Sequence, residues 1–204
     1  MLRKRSPVYD DPVPKLWTDT VAGHRRAVRD AALDAVAALV ARHGLRGVTM
    51  SQVAEDAGIG RATLYKYFPD VDALITAWHE RQVAVHLDRL IAARDHAGGA
   101  PDRLAAVLQT YAAFAHESHG HHEVEPAASL HAGAHVAQAH DHLRRLVRDV
   151  LADAVASGHV RDDVGVEELV GYCLHALSAA RDLPSQAAVQ RLVAVTLTGL
   201  QPPR

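Results

Sequence analysis

The stretch GLRGVTMSQVAEDAGIGRATLYKYFPDVDAL, residues 44–74, most constrains what this chain can fold into. It spells two short helices joined by a glycine turn. Thr49 suits an N-cap, and Gln52 three residues later sets a capping-box spacing, so a helix is predicted from Met50 or Ser51. Val53, Ala54 and Ala57 form its apolar side, and Gly58 supplies the positive φ of a tight exit. Ile59 re-enters the core, and a second helix is predicted from Arg61 to Tyr67 with Leu64 turned inward. The small Ala54 lets the two helices cross closely, at the roughly 90–120° of a helix-turn-helix unit. Arg61, Thr63, Tyr65 and Lys66 then share the outer face of the second helix, a set of donors and a flat ring suited to reading DNA. Phe68 is assigned to packing, and Tyr67 suits packing and DNA contact equally.

Around this stretch the chain reads as helix throughout. The 204 residues are 49 % hydrophobic but only 4 % aromatic, so the core must come from Ala, Val and Leu, a composition that favours helices. A first helix is predicted from Val21 to His43 on the stripe Val28, Ala31, Ala32, Ala35, Val36, Leu39 and Val40, with Gly44 closing it. Before it, residues 1–19 form an expected flexible arm with the basic run Arg3-Lys4-Arg5, which adds electrostatic contact to DNA without choosing sequence. Pro69-Asp70 ends the second helix of the pair and caps a fourth, Val71 to His96. A fifth follows from Pro101 to His116. Pro126 opens a short sixth, and a long seventh runs from Val136 to Ser157. Two more, Val166 to Arg181 and Ser185 to Leu200, the last with Val189, Leu192, Val193 and Val195 on its core stripe, complete about nine helices. The expected domains are the arm, a DNA-binding unit over 20–69, and a second helical domain over 70–204.

Charge is divided unevenly. Residues 1–70 carry 11 Lys and Arg against 8 Asp and Glu, while residues 71–204 carry 11 against 16. A basic end and an acidic body suit a protein that offers one end to DNA. One cysteine, Cys173, excludes a disulfide framework, and no apolar run approaches a membrane span of roughly 18 residues, so a cytoplasmic protein is expected. No nucleophile elbow, P-loop, HExxH or dinucleotide fingerprint is present, which argues against an enzyme. The last two helices, with Gly171, Ala176, Ala179 and Ala180, suit a twofold four-helix interface, so a homodimer is expected.

The run Thr49 to Ala54, then Ala57-Gly58-Ile59, then Thr63-Leu64-Tyr65-Lys66-Tyr67-Phe68, resembles the N-terminal domain of TetR-type (TetR/AcrR-like) transcriptional regulators. Gly60 departs from the serine the family often places at this helix start. The resemblance implies an all-α protein with an N-terminal three-helix helix-turn-helix domain and a C-terminal ligand-binding and dimerisation domain. It also implies a repressor that leaves its double-stranded DNA operator when a small-molecule effector binds. By the same resemblance Thr49, Arg61, Thr63, Tyr65, Lys66 and Tyr67 are the DNA-binding residues. Effector contacts are then expected at Trp78, Gln82, His86, Tyr111, His131, His135 and Tyr172, polar or aromatic side chains at positions predicted to face inward. No cofactor is implied. Eight of the 15 histidines lie between His116 and His142, and His131 and His135 share a helix face. A metal-responsive regulator, with a third ligand from His86, His175 or the acidic loop, is therefore an alternative, as is a helical scaffold without DNA binding.

Overall fold

The computed structural model describes residues 15–117 and 130–203, with side chains from 22 to 117 and from 137 to 203. The basic run Arg3-Lys4-Arg5, the loop histidines His119, His121 and His122, and the side chains of Trp17, His131 and His135 lie outside the described residues. Those described form eight α-helices and no strand. They are α1 (Lys15–His43), α2 (Met50–Asp56), α3 (Arg61–Tyr65), α4 (Val71–His96), α5 (Ala100–Glu117), α6 (Leu130–Ala156), α7 (Val166–Ser178) and α8 (Gln186–Gly199). Two 3-10 turns, Leu45–Gly47 and Ala179–Asp182, join them. The chain divides into two compact units, with the division inside α4 after Leu74.

In the first unit the predicted stripe of α1 is buried apart from the half-buried Ala31, and Leu33 joins it. It packs with Val48, Met50, Val53 and Ala54, while Leu64, Phe68 and Leu74 are also fully or nearly fully enclosed. The Thr49 hydroxyl accepts from the Gln52 N–H at 3.3 Å and donates to the Gln52 side-chain carbonyl at 2.7 Å, which fixes the start of α2. Its end is a Schellman closure. Ile59 N–H donates to Ala54 O at 3.0 Å, Gly58 N–H donates to Glu55 O at 3.1 Å, and Gly58 sits at φ +65°. A Cβ at Gly58 would meet no atom within 4 Å, so only backbone strain opposes one. Gly58→Ala is therefore expected to cost about 1–2 kcal/mol and Gly58→Asn less, measured by chemical denaturation.

The second unit is built around α5, which packs against α6, α7, α8 and the turn at Ala179–Asp182. Leu104, Val107, Leu108 and Ala112 of α5 interleave with Leu146, Val147, Val150 and Leu151 of α6 and Leu169, Val170, Cys173 and Leu177 of α7. Val189 and Val193 of α8, with Leu200 just after it, close the core, and Leu90 enters it from α4. Burial pushes the Cys173 thiol up to about 12, so it stays protonated and unreactive at neutral pH. Glu167 pairs with Arg144 at 3.2 Å and with Arg148, tying α7 to α6.

Four expectations are corrected. The first helix begins at Lys15, so residues 15–19 are helical and the arm is shorter than expected. The sixth and seventh helices are one, Leu130–Ala156, giving eight in place of about nine. Gly133 lies within it, because one glycine costs a helix only about 1 kcal/mol. The helix from Val166 ends at Ser178, and its last residues tighten into the 3-10 turn. Val195, expected on the core stripe of α8, is 67 % exposed.

Candidate nucleic-acid interface

Five residues make a marginal helix by themselves, so α3 depends on what it is packed against. Leu64 is its anchor, with no exposed surface. Gly60 stands at the N-cap with no side-chain hydrogen bond, as its lack of a hydroxyl requires. After the helix, Phe68 is buried as expected, and the Arg29 guanidinium of α1 lies 5.2 Å from the centroid of its ring. Arg42 and Asp56 form an ion pair between α1 and α2. These contacts hold the outer surface of α3 in one orientation.

That surface carries Arg61, Tyr65 and Lys66, all exposed. Thr63 and Tyr67 are half-buried on its flank. Thr49 is exposed, but its hydroxyl is engaged in the α2 cap. Lys66 and Tyr67 line an open groove of about 580 Å³ whose remaining wall is Arg25, Arg26 and Arg29 of α1. Sequence reasoning missed these three arginines, because exposed cations on a helix read as an ordinary solvated face. The signal available was their spacing: positions 25 and 29 are one turn apart, with 26 beside them. Among the described residues Arg25, Arg26, Arg61 and Lys66 form no ion pair, whereas Arg42, Arg94, Arg144, Arg148 and Arg161 all do. Four cations lining a groove with no carboxylate in its wall create a positive potential suited to phosphate.

The residues expected to meet an effector are placed less uniformly. Trp78, Gln82 and His86 follow one another at intervals of four along α4; Trp78 is buried and the others half-buried. The His86 imidazole stacks on the Phe114 ring of α5, with centroids 4.2 Å apart and planes 17° from parallel. Burial, then the neighbouring Arg89, hold its pKa below the usual histidine value, and nearby Glu117 opposes them. The neutral ring is thus favoured in the fold. Stability from this group is full above about pH 6.5, where the unfolded ring is neutral too, and falls as the pH drops through that value and the unfolded ring takes up a proton. His86→Phe is expected to keep the stack and lessen the loss of melting temperature between pH 7.5 and 5.5.

Tyr111 is half-buried against the core, and burial raises its pKa. Tyr172 is corrected: it is 42 % exposed, and its ring rests against Gly199, so it does not face the interior. His175 is exposed and donates from Nδ1 to Gly171 O at 2.8 Å, an arrangement within its own helix. Among the described residues no three His, Cys, Asp or Glu side chains gather as a metal site would require. No described helix is long and apolar enough to cross a membrane.

Both units are matched by known families. The bacterial regulatory proteins of the tetR family match residues 32–77, and the C-terminal domain of SbtR-like transcriptional regulators matches residues 100–202, half of the chain. No curated protein sequence matches. Among solved structures, a regulator of the TetR/AcrR family from Thermobifida fusca YX-ER1 superposes with a TM-score of 0.75 at 16 % identity, covering 84 % of this chain and 97 % of that one. FadR from Bacillus subtilis, in complex with stearoyl-CoA, gives 0.62 at 14 %, covering 87 % and 100 %. AibR, in complex with isovaleryl coenzyme A and operator DNA, gives 0.64 at 14 %, covering 87 % and 100 %. Identities this low show a shared fold alone. With its helix-turn-helix stretch and its C-terminal half each matched, the chain belongs to the TetR family of bacterial transcriptional regulators.

Proposed function

We propose that this protein is a sequence-specific DNA-binding repressor, released from its operator when a small-molecule effector binds the second unit. The observation that carries the DNA-binding reading is the cluster of exposed, unpaired cations on α1 and α3 beside a helix-turn-helix. Arg61 near the start of α3 is the candidate for a base edge, most simply guanine, at about 1–3 kcal/mol of discrimination. Lys66, Tyr65 and the three arginines of α1 grip phosphate and set register without reading sequence. Two regulators of this fold, FadR and AibR, hold an acyl-CoA, and AibR holds operator DNA as well. This supports an effector-responsive second unit here. An effector that favours the DNA-free state by 1–3 kcal/mol lowers operator affinity roughly 5–150-fold, and DNA lowers effector affinity by the same factor. A strain lacking the gene should show raised expression from the gene's own promoter, and the effector should raise it in the intact strain. Unchanged expression in both would reject the repressor.

One such head contacts too little DNA for specificity, so the active form is a homodimer placing two heads about 34–36 Å apart. The exposed Tyr172 of α7 and Val195 of α8 mark the surface proposed to pair, on the last two helices. Leu192, by contrast, packs against the monomer's own core. Val195→Arg is therefore expected to give folded monomers by sedimentation at micromolar concentration, and Leu192→Arg unstable protein. A Val195→Arg protein that remains a dimer would move the interface elsewhere.

A further inference from the structure

The effector's chemical class follows from one face of α4, and this inference rests on the effector-responsive reading above. His86 has one ring face against Phe114, yet is only half-buried, so part of the imidazole is open. Gln82 lies one turn before it and Arg89 one turn after, at the i−4 and i+3 positions that bring side chains together on a helix surface. Arg89 is exposed, its guanidinium lies 5.8 Å from the Phe114 ring centroid, and it has no ion-pair partner among the described residues. The face therefore presents a flat neutral ring with an amide on one side and an uncompensated cation on the other. Glu117, at the exposed end of α5, is the acidic group that acts on His86.

We propose that the effector is a planar molecule bearing an acidic group, whose flat part continues the His86–Phe114 stack and whose anion is held by Arg89. Stacking on an imidazole asks for a π-face, and a fork of N–H donors asks for a carboxylate or phosphate. Gln82 supplies a donor or acceptor for a further polar substituent. Glu117 opposes the anion at a distance and so limits its affinity, which makes the charge dependence readable in both directions.

The test titrates the purified full chain, without DNA, with benzoate, with benzamide as its uncharged counterpart, and with cyclohexanecarboxylate as an acid of similar size without a flat ring. Binding is followed by calorimetry. Benzoate is expected to bind and benzamide and cyclohexanecarboxylate not, which identifies the planar acid; cyclohexanecarboxylate binding as tightly as benzoate would overturn the planar class. Arg89→Met should weaken benzoate about tenfold or more, and Glu117→Gln should tighten it. Both side chains are exposed, so both variants should fold, and removing the Arg89 contact with Phe114 should cost only a small part of the stability. Equal affinity for benzoate and benzamide, an unaffected Arg89→Met protein, or no binding of benzoate at millimolar concentration would each overturn the proposal. Because DNA is absent from this titration, its failure is separable from failure of operator binding, which is measured on the same variants by gel shift.

Discussion

Alanine at both Arg26 and Lys66 is expected to lower affinity for every DNA sequence alike, by about 100-fold or more at low salt. Arg26 on α1 and Lys66 just after α3 line one groove of the first unit, so a phosphate path crossing it loses two charge-assisted contacts. Such contacts contribute about 1.5–3 kcal/mol each. Each neutralised phosphate contributes about 0.9 to the dependence of log affinity on log salt, so the slope should flatten by about 2. The ratio between operator and random duplex should barely change, because phosphate contacts carry no base information. Fluorescence anisotropy over a salt series reads all three quantities. An unchanged slope would remove these residues from the interface. Arg61→Ala should do the reverse, narrowing the gap between operator and random DNA at one base position.

Leu64→Ala and Tyr65→Ala, at neighbouring positions, should separate fold from contact. Leu64 has no exposed surface, and α3 is too short to persist without it. Truncating an enclosed leucine costs about 2–5 kcal/mol, a large part of the 5–15 kcal/mol that a domain commonly has. The Leu64→Ala protein should therefore lose both helical stability and DNA binding. Tyr65 is 47 % exposed, and its removal should leave the melting curve in place while weakening DNA binding. Equal melting curves for the two variants would contradict the packing described for α3.

Much of the first unit was legible because its signals are local. The Thr49 cap, the left-handed Gly58 and the inward Leu64 each follow from one residue's stereochemistry, and all three are present. The bounds of α4 were readable for the same reason. Asp70 caps it, accepting from Ala73 N–H at 2.7 Å, and the glycine pair after it prevents its extension. The basic groove was not legible, since it needs α1 beside Lys66 and Tyr67, the residues that follow α3, and periodicity along α1 shows only that its arginines point away from the core. Tyr172 and Val195 misled in the opposite sense. Both are apolar enough to be assigned inward, but α7 and α8 already fill their core with Val170, Cys173, Leu177, Val189 and Val193. The seventh predicted helix was a boundary misplaced: the apolar stripe starting at Val136 reads as a new helix, although the single Gly133 costs a continuing helix only about 1 kcal/mol.

The central claim is that α1 and α3 together form a DNA-reading surface. Its most direct test is a gel shift of the full chain with duplex from upstream of its own gene, against a scrambled duplex of equal composition, over a range of salt. The account predicts a discrete complex with the upstream duplex, about 10³-fold or more tighter than with the scrambled one, and weakening steeply with salt. Equal affinity for the two duplexes, or no complex with either at low salt, would contradict it.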